Sequence, residues 1–292
     1  MRSFVNQIIG LSVLVLAASQ GAQAFPLKAS TPAVAPETAN FLDIVPASGV
    51  DFTAIVSLSG CSGSLVRFEN SLGIDRAMVL TNGHCKEGGM PSPGQVFVNT
   101  ASSRSFTLLK SDASGSITTL KADQILLSTM TGTDMTLYRL TSTFDDIEKR
   151  FGVRALTIQS KHPEASRKIA VVSGYWKRIY NCAIDGFAYR LKEDNWTMND
   201  SVRYSKPGCE VIGGTSGSPV IDTETHAVVA VNNTINEDGE RCTMDNPCEV
   251  DERGNVTYSK GTGYAQEIYW IYSCLNSANQ LDFNQAGCKK PF

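Results

Sequence analysis

The chain has 292 residues, of which 42% are hydrophobic and 19% are charged, and its formal net charge is −3. This length and composition are typical of one large globular domain or two small ones with ample core. The mild negative charge argues against a nucleic-acid partner, because phosphate binding needs a basic face.

The N-terminus has the pattern of a secretory signal peptide. Arg2 precedes an apolar run at 8–18, and Ala22-Gln23-Ala24 supplies the small residues of a cleavage site. The run is too short to span a bilayer comfortably, so no stable membrane anchor is expected. We therefore predict a protein that is secreted or periplasmic, with residues 1–24 removed by cleavage after Ala24.

The rest of the chain has the texture of a β protein. Residues 25–48 are rich in Ala, Pro, Thr and Ser and are interpreted as a tail or short pro-segment. Beyond them, short apolar stretches alternate with turn residues, which predicts an all-β sandwich or barrel. One helix is predicted near the C-terminus, from the helical spacing of Ile268, Ile271, Tyr272 and Leu275.

Ser216 lies in the turn Gly213-Gly214-Thr215-Ser216-Gly217-Ser218-Pro219. A nucleophilic serine needs an exposed hydroxyl on a sharp turn, with backbone N–H donors nearby for the oxyanion. Flanking glycines allow such a turn and a close approach of substrate. Because Gly/Ser-rich turns are common, the stretch by itself is only moderately specific.

Two further segments are candidates for the same chemistry. His84 follows a predicted strand, and functional side chains are often displayed at strand ends. Asp134 precedes another predicted strand, where a carboxylate can accept from an imidazole and fix its tautomer. Alone, each has a structural alternative, a surface histidine or a turn-forming aspartate. Together with Ser216 they give the order His, Asp, Ser of the chymotrypsin template.

The chain resembles the trypsin/chymotrypsin-like serine peptidase family, in particular its bacterial-type branch, over about residues 50 to 276. Three segments at the candidate residues are similar to the family's Thr-Ala-Ala-His-Cys, Asp-Ile-Ala-Leu and Gly-Asp-Ser-Gly-Gly-Pro, and two more to its Cys-Gly-Gly-Ser-Leu and its closing strand. In that order they are Thr81-Asn82-Gly83-His84-Cys85, Asp134-Met135-Thr136-Leu137, Gly214-Thr215-Ser216-Gly217-Ser218-Pro219, Cys61-Ser62-Gly63-Ser64-Leu65 and Gly263-Tyr264.

The resemblance implies two six-stranded antiparallel β-barrels with a C-terminal helix, the first at about 49–150 and the second at about 151–276. Residues 277–292 would be a C-terminal extension. His84 would act as general base, Asp134 would orient it and Ser216 would be the nucleophile, with the N–H groups of Gly214 and Ser216 as the oxyanion hole.

The resemblance also predicts what the protein does. It implies a monomeric serine endopeptidase that acts on protein or peptide substrates without a cofactor. The alternative is an inactive homologue that serves as a binding module. Loss of activity usually removes a triad residue, and none is missing from the sequence.

Departures from the family pattern carry their own expectations. Thr215 replaces the usual Asp before the nucleophile, so an oxyanion hole preformed by local hydrogen bonds is expected. Glu210 lies six residues before Ser216, the offset of the acid at the base of a trypsin-like pocket, which favours Arg or Lys in the substrate. The alternative is a solvated loop residue, because Cys209 lies seven residues before Ser216 where the family has four.

Eight cysteines follow the predicted cleavage site, and an even count in an exported chain predicts four disulfides. A zinc site is not expected, because the chain has only three histidines and no Cys-x2-Cys pair, and we predict no metal. The resemblance implies a bridge between Cys61 and Cys85. Proximity favours three local pairs for the others, with Cys209–Cys242 as a rival: Cys182–Cys209, Cys242–Cys248 and Cys274–Cys288.

Overall fold

The computed structural model describes residues 49–292, and the predicted signal peptide and tail lie outside them. The described part is built almost entirely of β-strands. They are β1 (Ile55–Ser57), β2 (Ser62–Arg67), β3 (Arg76–Thr81), β4 (Val96–Ala101), β5 (Ser105–Leu109), β6 (Ser116–Thr129), β7 (Met135–Thr143), β8 (Leu156–Thr157), β9 (Lys168–Ser173), β10 (Arg178–Glu193), β11 (Trp196–Tyr204), β12 (Pro219–Asp222), β13 (Val228–Ile235), β14 (Cys248–Val250), β15 (Val256–Thr257) and β16 (Gly263–Glu267).

The first sheet closes into a barrel of six antiparallel strands. Its order is β1-β5-β6-β7-β3-β2, and pairing of β1 with β2 closes the ring. β4 adds to the outside of β6, and β8 pairs in parallel with the end of β2. The interior is filled by apolar side chains without solvent exposure, among them Leu80, Leu127 and Leu137, as the alternating apolar pattern predicts.

The second sheet contains another ring of six antiparallel strands. Its order is β9-β10-β11-β16-β13-β12, and β12 pairs back with β9. The hairpin of β14 and β15 extends this sheet from the outer part of β10. The prediction of an all-β, chymotrypsin-like pair of six-stranded units is therefore confirmed.

The helices differ from the prediction in kind and in number. The predicted C-terminal helix is a six-residue 3₁₀ helix, Tyr269–Cys274, after which Leu275 is extended and pairs with Leu281. An α-helix that was not predicted, α1 (Phe144–Phe151), follows β7. Thr143 and Asp146 form a capping box at its N-terminus, and Gly152 ends it with a left-handed backbone.

Four disulfides join all eight cysteines, as predicted. The bridges are Cys61–Cys85, Cys182–Cys209, Cys242–Cys248 and Cys274–Cys288. The three local pairs are thus correct, and the rival Cys209–Cys242 pair is not formed. Four disulfides fit a protein of an oxidising compartment, either outside the cell or in the periplasm.

Among residues 49–292, no helix is long and apolar enough to cross a membrane.

Candidate active site

His84 and Asp134 form a hydrogen-bonded pair at the edge of the first barrel. His84 Nδ1 lies 2.6 Å from Asp134 Oδ2, and the backbone N–H of His84 donates to Asp134 Oδ1 at 3.0 Å. Asp134 is 1% exposed, whereas the His84 side chain is 23% exposed. Because the carboxylate accepts at Nδ1, the Nε2 lone pair of neutral His84 is free to take a proton.

Gly83 allows this pair to form. A Cβ at this position would lie 2.8 Å from Asp134 Oδ1 and closer still to the Thr129 carbonyl. Any larger residue would therefore push apart the turn that holds His84 against Asp134. The Cys61–Cys85 bridge fixes the other side of the same turn.

Ser216 lies on the turn before β12, in the second barrel, and lines the same cleft as His84. Its backbone carbonyl accepts from the Ser62 N–H at 2.8 Å, which ties the turn to the first barrel. Its hydroxyl donates to the Asn233 carbonyl at 3.2 Å, and no hydrogen bond to His84 is formed within residues 49–292. A bond between nucleophile and base that forms only with substrate is common in unliganded proteases.

The loop before Ser216 presents two unused donors. Neither the Gly214 N–H nor the Ser216 N–H has an acceptor among the described residues. Gly214 has φ +88°, and a Cβ there would lie 2.9 Å from both Trp176 Nε1 and the Tyr175 ring. The Trp176 indole N–H donates to the Gly213 carbonyl at 2.8 Å, so this aromatic pair supports the loop. Two free N–H groups beside a serine hydroxyl are the donors that an oxyanion hole needs.

A buried chain of hydrogen bonds also supports the loop that precedes Ser216. The Tyr204 hydroxyl donates to Asn232 Oδ1 at 2.9 Å, and Asn232 Nδ2 donates to Thr215 Oγ1 at 3.1 Å. The Thr215 hydroxyl in turn donates to the Ile212 carbonyl at 2.6 Å. Thr215 is 2% exposed, so the bonds form away from water, where they are strong.

Three carboxylates, those of Glu193, Glu237 and Asp245, line the cleft beside His84 and Ser216. Glu193 ends β10, and the Trp196 indole N–H at the start of β11 anchors this hairpin to the Pro91 carbonyl at 3.0 Å. Glu193 Oε1 accepts from the Asp245 N–H at 2.8 Å. Burial raises the pKa of Glu193 to about 7, against hydrogen bonds that act to lower it. No sequence motif marks Glu193.

The carboxylates also affect His84. Burial alone would lower the pKa of its imidazole. The ionised Asp134 and its hydrogen bond, helped by Glu193 and Asp245, outweigh burial and raise that pKa above 6.5. A raised pKa gives the imidazole the basicity that a proton acceptor needs.

The predicted site residues are thus brought together, with one exception. His84, Asp134 and Ser216 all line one cleft, and Gly214 lies on its rim in the loop of Ser216. Glu210 is exposed and is not among the residues that line the cleft, whereas the neighbouring Cys209 is buried and bridged to Cys182. Its placement gives no support to a role at the base of a specificity pocket.

Two β-barrels with a His–Asp pair and a serine in one cleft define the architecture of a chymotrypsin-like serine peptidase. The sequence model of the trypsin-like peptidase domain matches residues 61–231, more than half of the chain. The chain therefore belongs to the trypsin-like peptidase family.

The chain was also compared with curated protein sequences and with solved structures. A comparison with curated protein sequences returns no match. Solved structures similar to this chain include the protease domain of MamO from Magnetospirillum magneticum, with 14% identity, a TM-score of 0.48 and coverage of 78% of this chain and 99% of that one. Another is the Nocardiopsis protease, with 15% identity, a TM-score of 0.42 and coverage of 75% and 92%.

Proposed function

We propose that this protein is an exported serine endopeptidase that hydrolyses peptide bonds through an acyl-enzyme formed on Ser216. The observation that carries the proposal is the 2.6 Å pair of His84 with buried Asp134, which faces the cleft of Ser216. In the proposed reaction Ser216 Oγ attacks the scissile carbonyl while His84 Nε2 takes its proton. His84 then returns the proton to the leaving amine, and the Gly214 and Ser216 N–H groups hold the oxyanion.

A serine-directed phosphonylating reagent and a mixed peptide library together test this function. The reagent should label Ser216 in the wild type, and the library should be cleaved. Labelling of Ser218 instead, or a folded protein that neither reacts nor cleaves any peptide, would favour the inactive binding module.

The acidic cleft supports a preference for Arg or Lys before the scissile bond. We expect Glu193→Gln to lower kcat/KM for Arg substrates about 10- to 100-fold, since a hydrogen bond to a charged group contributes about 1.5–3 kcal/mol. Matched Leu substrates should change little. Because Glu193 ionises as the pH rises through about 7, the selectivity of the wild type should increase over that range. The measure is the Arg-to-Leu ratio, that is, kcat/KM for an Arg substrate divided by kcat/KM for the matched Leu substrate.

Glu210→Gln is the matched control, because it removes an exposed carboxylate outside the cleft lining. It should leave the Arg-to-Leu ratio unchanged. If Glu210→Gln lowers the ratio and Glu193→Gln does not, the acid that selects the substrate is the one predicted from sequence offset.

The bridge beside His84 should matter for activity as well as stability. Replacing Cys61 and Cys85 by Ala opens a loop with a separation of 24 residues, a loss of about 3 kcal/mol in the chain-entropy model. Replacing Cys274 and Cys288 opens a loop of 14 and should cost about as much. The Tm of thermal unfolding should fall by a similar amount in both variants. Peptidase activity well below the Tm should fall only in the first, and equal activities would mean that the bridge does not position His84.

A further inference from the structure

A second cluster of ionisable side chains lies on the second barrel, outside the residues that line the cleft. His162 precedes β9, Asp200 lies in β11 and Glu267 ends β16. His162 Nε2 is 3.1 Å from Glu267 Oε1 and 3.5 Å from Asp200 Oδ2. One ligand atom from each residue lies within 4.8 Å of the other two. The peptidase mechanism uses none of the three.

The histidine is oriented with its lone pair toward the carboxylates. His162 Nδ1 lies 2.5 Å from the Pro163 carbonyl, which can only accept, so Nδ1 carries the proton. In the neutral imidazole Nε2 is then a bare acceptor. The ring is also held between Phe187 and Tyr269, with centroids at 4.5 and 5.2 Å. A backbone carbonyl is one of the groups that commonly accept from the far ring nitrogen of a metal-binding histidine.

No lysine or arginine of the described residues neutralises the two carboxylates. The Glu267 side chain is 2% exposed, and neither of its oxygens has a hydrogen-bond partner within residues 49–292. In that same range no Lys or Arg lies within 4.0 Å of Asp200 or Glu267. A buried, unbonded carboxylate facing a second carboxylate is costly, and either a proton or a bound cation can neutralise it.

We propose that His162, Asp200 and Glu267 form a binding site for a divalent transition-metal ion of the Zn²⁺ type. One imidazole nitrogen and two carboxylate oxygens are a ligand set that Zn²⁺ accepts, with water in the fourth position. Ligand atoms about 2.0–2.2 Å from a tetrahedral zinc lie about 3.3–3.6 Å apart, close to the 3.1 and 3.5 Å that separate His162 Nε2 from the two carboxylate oxygens. Ca²⁺ fits less well, because it takes six to eight oxygen ligands.

The ion would join the segment between the barrels, through His162, to β11 and β16. Asp200 and His162 are partly exposed, which leaves a route for the ion and for a bound water. The proposed role is therefore stabilisation of the folded protein, and it is independent of the proposed peptidase reaction.

Zinc binding to the folded, EDTA-treated Ser216→Ala protein tests the site, since this variant avoids self-digestion. Calorimetric titration with Zn²⁺ should show one equivalent bound, and a free concentration of a hundred times Kd should raise the Tm by about 5–10 °C. Glu267→Gln and Asp200→Asn in the same background should each weaken binding at least tenfold. Glu148→Gln, which removes an exposed carboxylate on α1, is the matched control and should bind normally.

Glu267→Gln also separates loss of binding from loss of folding. Without metal this variant should be at least as stable as its parent, because it replaces a buried carboxyl group by a neutral amide of the same shape, yet its Tm should no longer respond to Zn²⁺. Two results would overturn the proposal. One is the absence of stoichiometric binding to the parent, which would mean that protons neutralise the cluster in place of a metal ion. The other is binding that survives Glu267→Gln but is lost in His84→Ala, which would place the ion at the active site.

Discussion

Asp134→Asn should lower kcat by roughly 10⁴-fold while leaving the fold intact, as loss of this carboxylate does in the protease template. Asp134 is buried, and its two oxygens accept from both the ring and the backbone of His84. An amide at this position can donate to Nδ1, so it would stabilise the tautomer that has its proton on Nε2. That tautomer cannot accept the proton of Ser216.

Ser216→Ala and His84→Ala should each be at least as damaging, and combinations should not multiply the loss, because the three groups act as a unit. His226→Asn, at an exposed histidine, is the matched control and should retain full activity. Steady-state kinetics with a cleaved library peptide, and circular dichroism for folding, provide the measurements. Full activity in folded Ser216→Ala would refute the assignment of the nucleophile.

The pH profile tests the same pair. Because the pKa of His84 is raised and the reaction needs the neutral imidazole, kcat/KM should increase with pH through a midpoint above 6.5. Asp134 and Glu193 both favour the protonated ring, so Glu193→Gln should move this midpoint to lower pH. An unchanged midpoint would show that Glu193 does not influence His84 in solution.

Local sequence patterns account for what could be predicted. His84, Asp134 and Ser216 each lie beside a strand end in a recognisable segment. These segments, together with their order along the chain, are enough to predict that the three residues share one site. The disulfides between near neighbours followed from proximity. Helix α1 could have been found, since Thr143, Asp146 and Gly152 are the capping residues of a short helix.

Features that depend on distant residues were not predictable. The prediction for Glu210 depends on its offset from Ser216, and an offset does not show where a side chain lies when the intervening loop differs from that of the family. Glu193 reaches the cleft only because a long hairpin folds over it. His162, Asp200 and Glu267 come from three separate parts of the chain, and neither the number of histidines nor the spacing of cysteines indicates that they lie together.

The second large effect is expected at Thr215, where the family's usual aspartate is missing. In most animal members that aspartate receives the ammonium of a new N-terminus, and the ion pair orders the oxyanion hole. Thr215 has no charge for this purpose, and an unpaired buried ammonium would cost several kcal/mol. The chain of Tyr204, Asn232 and Thr215 provides neutral hydrogen bonds at the same place.

We therefore expect Thr215→Val to lower kcat by about 10- to 100-fold with little change in KM. Valine keeps the shape and the backbone bond to the Ile212 carbonyl, but it removes the hydroxyl bond to that carbonyl and leaves the Asn232 amide without its acceptor. The loop that presents the Gly214 and Ser216 donors therefore loses part of its support. The loss should stay below the 10²–10³-fold that removal of a whole oxyanion donor costs. Thr215→Ser keeps the hydroxyl and should restore most of the activity, whereas a purely structural role would change the Tm in both variants without separating their kcat values.

The same network predicts activity without N-terminal processing beyond export. A chain that begins at Phe25 and one that carries a blocking extension before Phe25 should have equal kcat, because the residue before Ser216 is an uncharged threonine that is already hydrogen-bonded to Asn232. Active-site titration of both forms gives the comparison. Activity that appears only after trimming to one defined N-terminus would mean that an ammonium does order the loop, and the acids near enough to receive it would then be Glu193, Glu237 and Asp245 of the cleft.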